Sequence, residues 1–360
     1  MNRIELKNRT DRDSNVELLR LLCMLMVVLH HFLIAGPSIG AFKSSPITHD
    51  SLIAAFINPF LYCAVNTFVL ISGYYGIRFK VKGVVSLYVR CAWYGTLCYL
   101  LHLLIDGASP GIYGLTHNCI FALSNSRWFI LNYVCLYLLS PALNALIDTF
   151  DERRFSILLI VLSLINLYFG WVWGNGVNYN GYNLSQFIFL YYIGRYLALY
   201  HTPMVSMRWR YLGVYVACAA LLGLVCLLLG RAGQGNYLLH LMGECYNNPI
   251  LIIEAIALLY FFKTFSFKSR IINYCAFSVL AVYLIHQNVF IEGYIKDYLS
   301  SHFFVWGEYA RWLVLLFGAI MIFVACLVVD IVCKWVYMPI ANVLTNWSGQ
   351  LELHLLPRSK

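Results

Sequence analysis

The chain has 360 residues, 61% of them hydrophobic and only 11% charged, with a mean hydropathy of +0.72. A soluble domain carries roughly 25% charged residues because its surface must face water, so this composition excludes a soluble globular class and indicates a lipid-embedded one. The formal net charge of +9 does not point to nucleic acid, because the basic residues lie in short clusters between apolar runs, as topology signals do.

In chain order, Met1 to Asn15 reads as a polar cytoplasmic N-terminal segment. The apolar run after it ends at Gly36-Pro37-Ser38 with no A-x-A pattern before it, so an uncleaved first span is expected. Spans of about 20 residues are predicted near 16–36, 52–76, 84–105, 127–147, 155–174, 184–201, 209–230, 247–265, 273–293 and 310–338. Gly, Pro and Asn clusters separate them. The expected fold is therefore an all-α integral membrane protein of about ten transmembrane helices. Its membrane domain would cover 16–338, with a cytoplasmic tail over 339–360. Aromatic residues, 16% of the chain, suit the belts at the two interfaces.

Orientation follows from Lys and Arg. With the N-terminus inside, nineteen of the 25 fall in inner segments, among them Arg78, Lys80, Lys82, Arg90 and Lys334. Five fall outside (Lys43, Arg127, Arg231, Lys296 and Arg311), and Arg20 lies within a span. The positive-inside rule thus places both termini in the cytoplasm. Twelve cysteines form no C-x-x-C pair and read as small apolar residues; Cys119 and Cys245, in predicted outer loops, are the candidate pair. No internal repeat and no Gly-rich phosphate loop is present, which weakens a transporter or flippase reading.

The first helix carries the chemistry. Ser14 followed by Glu17 has the spacing of a capping box. Arg20 and His31 are eleven residues apart, about 20° from three full turns, so they share a face roughly 16 Å apart along the axis. Glu17, three residues before Arg20, is placed to pair with it. An ionisable residue inside a span costs about 2.5–3.5 kcal/mol on insertion scales, so such residues turn inward or toward water. Arg20 alone could snorkel to headgroups; His31 on the same face argues for function. His286, in the ninth span, has Ser278 and Val282 on its face at four-residue spacing and Tyr283 beside it. Glu254 and Asp330 are too few for a proton relay. His30 and His31 lie about 100° apart with no His or Glu four residues away, so no metal site is expected. His201 and His240 read as interface residues.

These motifs resemble the acyltransferase-3 family of membrane O-acyltransferases that modify cell-surface glycans. Arg20 and His31 match its opening arginine, ten residues and histidine. Phe68-Val69-Leu70-Ile71-Ser72-Gly73-Tyr74, preceded by Asn66, matches its second helix. Trp128-Phe129, Tyr133, Tyr137, Leu139-Ser140-Pro141 and Asn144 match a middle helix, and Ser278 with Tyr283-Leu284-Ile285-His286 a late one. The chain departs from the family after the second helix, where closely paired arginines are replaced by Arg78, Lys80 and Lys82.

The resemblance implies transfer of an acyl group, most often acetyl, from acyl-CoA as co-substrate to a hydroxyl of a glycan or lipid-linked sugar, in a bacterial inner membrane. No tightly bound cofactor and no nucleic acid is implied, and the oligomeric state stays open. An alcohol attacking a thioester needs a base, and His31 is the candidate, an acyl-His intermediate being the variant. Arg20 would hold a donor phosphate or orient the pantetheine arm. Arg78, Lys80, Lys82 and Arg90 would attract the phosphates of coenzyme A. His286, Tyr283 and Ser278 would polarise the thioester or position the acceptor, with Glu17, Ser72 and Trp128 in support.

Overall fold

The computed structural model describes residues 13–37, 48–107, 109, 111–123, 128–174, 177–233 and 244–355. The segment up to Arg12, Lys43, Arg127, His240, Arg358 and Lys360 lie outside them. All regular structure among the described residues is helical. The helices are α1 (Ser14–Ala35), α2 (His49–Tyr62), α3 (Ala64–Tyr75), α4 (Val81–Asp106), α5 (Ile112–Cys119), α6 (Trp128–Thr149) and α7 (Glu152–Ser163). A π-helical stretch, Leu164–Val172, follows α7. Then come α8 (Leu184–Tyr200), α9 (Arg208–Arg231), α10 (Pro249–Lys263), α11 (Arg270–Ala276), α12 (Val279–His286), α13 (Val289–His302) and α14 (Glu308–Leu355).

Among the described residues, seven stretches are long and apolar enough to cross a membrane: α1, α2 with α3, α4, α6, α7 with its π-helical stretch, α9, and α14 as far as Trp347. Arg270–His286 with Val289–Val305, bent by 73° at its break, makes an eighth if the pair is one broken span rather than a re-entrant loop. The expected spans 184–201 and 247–265 correspond to α8 and α10, of 17 and 15 residues. At 1.5 Å per residue these are shorter than a hydrocarbon core of about 30 Å. The structure thus gives seven candidate crossings, or eight with the bent pair, against the ten expected.

The chain forms two compact units. The first holds residues up to Ile77, Ala142–Phe277 and Lys296–Ile320; the second holds Arg78–Pro141, Ser278–Ile295 and the chain from Met321. Within the first, α1 packs against α2, α3, α10 and α11, so the helix that carries Arg20 is enclosed rather than peripheral. The tightest approach is between α3 and α8. A Cβ on Gly73 would run into the Tyr191 carbonyl, and one on Gly194 into the Leu70 carbonyl. Small residues let backbones meet where lipid supplies no hydrophobic drive between helices. Gly73→Ala is therefore expected to cost about 1–3 kcal/mol, because backbone cannot rotate away as a side chain would. Thermal unfolding in detergent checks this; an unchanged midpoint would mean the two helices separate at no cost.

In the second unit α4 packs against α5 and α12, and Tyr94, Ala281 and Tyr337 form a buried cluster. Cys119 and Cys245 are both free thiols, correcting the candidate pairing: Cys119 is exposed, and the buried Cys245 Sγ donates to Asn180 Oδ1 at 3.5 Å.

Candidate active site

The first unit places Glu17, Arg20, His31 and Ser72. At the start of α1 the expected capping box is absent. Asp13 is the N-cap with no side-chain cap bond, and Ser14 Oγ accepts from Ser269 N–H at 2.8 Å instead. Asn15 Nδ2 donates to the carbonyls of Phe262 and Phe265 at 2.9 and 2.8 Å, tying α1 to the end of α10. Asp13 Oδ2 accepts from Tyr75 Oη at 2.7 Å and Lys263 Nζ at 3.1 Å. Glu17 is thereby left to Arg20, whose Nη1 meets its carboxylate at 2.9 Å as the spacing predicted. The Arg20 side chain is 33% exposed, so it offers guanidinium N–H groups beyond that pair. Ser72 Oγ donates to the Phe68 carbonyl of its own helix at 3.1 Å.

Toward the other end of α1, His31 is half-buried and His30 buried, with ring centroids 5.2 Å apart. His30 Nδ1 donates to Asn58 Oδ1 at 2.5 Å, and its ring sits 5.0 Å from Tyr62. Tyr62 stacks on Tyr246 at 4.2 Å and donates to the Glu244 carbonyl at 2.7 Å. Its oxygen lies 2.9 Å from the Tyr182 hydroxyl. Burial pushes the Tyr182 phenol up to about 12, so it stays a donor at neutral pH. Asn66 Nδ2 and Gln186 Nε2 both donate to the Tyr246 carbonyl, at 2.7 and 3.0 Å. The histidine end of α1 is thus walled by rings and amides. Sequence reasoning missed Asn58, Tyr62 and the structural role of His30. The signal was there: Asn58, Tyr62 and Asn66 recur every four residues, a polar stripe in an apolar run. Glu254 is fully buried in α10 beside the Cys63 thiol.

The second unit holds the other named residues. Arg78, Lys80 and Lys82 are exposed in and just after the non-helical turn before α4. Tyr137 Oη pins that turn by accepting from Lys80 N–H at 3.1 Å. Arg90 differs: it is half-buried, its guanidinium 5.9 Å from the Tyr337 ring centre. Trp128 opens α6, its carbonyl accepting from Asn132 Nδ2 at 2.9 Å. His286 is buried and its Nδ1 donates to the Val282 carbonyl at 2.6 Å, which selects the tautomer with the lone pair on Nε2. Tyr283 lies 6.1 Å from His286 and 5.7 Å from Phe129, ring to ring.

Ser278 does not point a free hydroxyl at a substrate: it accepts from Lys334 Nζ at 2.7 Å. Lys334 also pairs with Asp330 at 3.0 Å, and Asp330 Oδ1 accepts from Tyr94 and Tyr337 at 2.6 and 2.9 Å. All five residues are buried. Lys334 is therefore not the inner topology signal of the charge count but one half of an ion pair inside a 48-residue helix.

No curated protein and no solved structure gives a match. The model of the acyltransferase-3 family, described as an acyltransferase domain, matches residues 13–331. That range takes in both units, the Arg20 and His31 helix, the cationic turn, and the Ser278-to-His286 stretch. The chain belongs to the acyltransferase-3 family.

Proposed function

We propose that the protein moves an acyl group, acetyl in the first instance, from acyl-CoA to a hydroxyl of a cell-surface or lipid-linked glycan. The supporting observation is the first helix. It is enclosed within its unit, with a partly exposed Arg20 steadied by Glu17 toward one end and a half-buried His31 toward the other. In this reading His31 takes the hydroxyl proton as the oxygen attacks the thioester carbonyl. The carbon–sulfur bond breaks, the ester forms, and the proton passes to the departing coenzyme A thiolate. His30, held by Asn58, packs beside His31 with ring centroids 5.2 Å apart. Arg20 holds the donor, and the exposed Arg78, Lys80 and Lys82 draw its phosphates in. His286 and Tyr283 position the acceptor.

The reading includes ten crossings in a bacterial inner membrane, both termini in the cytoplasm, and acylation toward the outer face. Coenzyme A is cytoplasmic, so the thioester must reach into the membrane to His31. Sealed vesicles of defined orientation test this. Inside-out vesicles given labelled acetyl-CoA in the medium are expected to label glycan. Right-side-out vesicles given it only in the medium are expected not to, and labelling there would overturn the sided mechanism.

A further inference from the structure

We propose that the second unit contains a pocket for an uncharged sugar ring of the acceptor, set apart from the cationic turn. The inference rests on the acyltransferase reading and gives the acceptor a place within this chain. A cavity of about 650 Å³ lies wholly within that unit, among α4, α5 and the joint of α12 and α13. Its size falls within the roughly 300–1,000 Å³ of small-molecule sites. The joint is the 73° bend, where the chain leaves the helical path and backbone between α12 and α13 lines the space.

The lining decides the ligand. Tyr99, Tyr113, Tyr283 and Phe290 supply rings, and His117 and Gln287 supply polar groups. None of the lining residues is Lys, Arg, Asp or Glu. A coenzyme A phosphate placed here would lose water and gain no counter-charge, at a cost of several kcal/mol per ion. Position agrees with chemistry. Cys91 and Tyr99 line the cavity and lie roughly 16 and 28 Å along α4 from Lys80, away from the cationic turn.

An acyl chain suits the lining no better. His117 Nδ1 is buried with no hydrogen-bond partner. The Tyr99 hydroxyl accepts from Gly111 N–H at 3.2 Å and still has its own proton to donate. Hydrocarbon against such groups leaves each unsatisfied, at about 1–3 kcal/mol apiece. A sugar answers both halves of the wall: its hydroxyls donate and accept, and its C–H faces lie against aromatic rings. Tyr283 joins this wall to the neighbourhood of His286.

Gly111 provides the test. Its backbone is extended, with φ −89° and ψ 145°, so any residue fits. A Cβ there would meet only the Tyr99 hydroxyl, at 3.9 Å. Gly111→Phe should fill the cavity, while Gly111→Ala should not. The full-length protein in lipid nanodiscs would be probed by saturation-transfer NMR with the methyl glycosides of glucose, galactose, mannose and N-acetylglucosamine. Retention of tritiated acetyl-CoA would be measured in parallel. At least one glycoside is expected to bind wild type and Gly111→Ala, and to bind Gly111→Phe about tenfold more weakly or not at all, with acetyl-CoA retention unchanged. Should Gly111→Phe fail to fold, Tyr113→Ala, at an exposed ring stacked 4.2 Å from His117, removes the contact instead and should weaken the same glycoside.

Glycoside signals indifferent to these changes, or absent with wild type, would overturn the pocket. So would loss of acetyl-CoA retention on filling the cavity, which would make it a donor site. Acyl transfer that needs His31 but ignores Gly111→Phe would sink the pocket and spare the acyltransferase reading. Glycoside binding as expected with no acyl transfer by wild type would do the reverse.

Discussion

His31→Ala is expected to lower acceptor-dependent consumption of acetyl-CoA by purified protein about 10²- to 10⁴-fold, the usual contribution of a positioned base. Donor KM should hold within about twofold, because Arg20 lies roughly 16 Å from His31 along α1 and its pair with Glu17 is untouched. Stability should also hold. His31 is half-buried and the bond from His30 to Asn58 does not pass through it. Steady-state kinetics with both substrates varied separate the two effects. A rise in donor KM with kcat intact would make His31 a binding residue and move the base elsewhere.

Asp330→Ala is expected to be the most destabilising single change in the second unit, by about 3–5 kcal/mol, because it leaves a buried ammonium without its carboxylate. Two tyrosine hydroxyls lose their acceptor in the same step. Replacing both charges, as Asp330→Leu with Lys334→Met, should recover the part of that loss due to the unpaired ammonium, since an apolar pair of similar volume carries no desolvation penalty, while the two hydroxyls stay without their acceptor. Thermal unfolding of the two single variants and the double variant checks the cycle. Equal losses in Asp330→Leu and the double variant, with Lys334→Met close to wild type, would mean that the hydroxyl network, not the ion pair, holds α4 to α14.

The first helix was legible because its logic is local. Arg20 and His31 lie in one helix as expected, and three-residue spacing paired Glu17 with Arg20. The capping box failed for a non-local reason: Ser14 is drawn to the backbone of Ser269, 255 residues away. Lys334 was counted as a loop cation although Asp330 stands four residues before it, a spacing that signals an ion pair within a helix. That Ser278 completes the network depends on tertiary packing and left no trace in spacing. The expected span count exceeds the candidates among the described residues because hydropathy does not mark where a helix ends. Asn248 caps α10 with Pro249 at its first turn, and His201 to Met204 leave the helical path after α8, so two apolar runs hold short helices. Asn58 was passed over because the reading followed charge, whereas it is an uncharged side chain in a buried position.

The central claim is that the enclosed first helix performs acyl transfer to a surface glycan rather than its export. Mass analysis of surface glycans from cells carrying wild type or His31→Ala, at matched protein levels, tests it most directly. Ester-linked acyl groups are expected with wild type and absent with His31→Ala, on equal amounts of surface glycan. Acyl groups that persist in the variant, or glycan that fails to reach the surface, would contradict it.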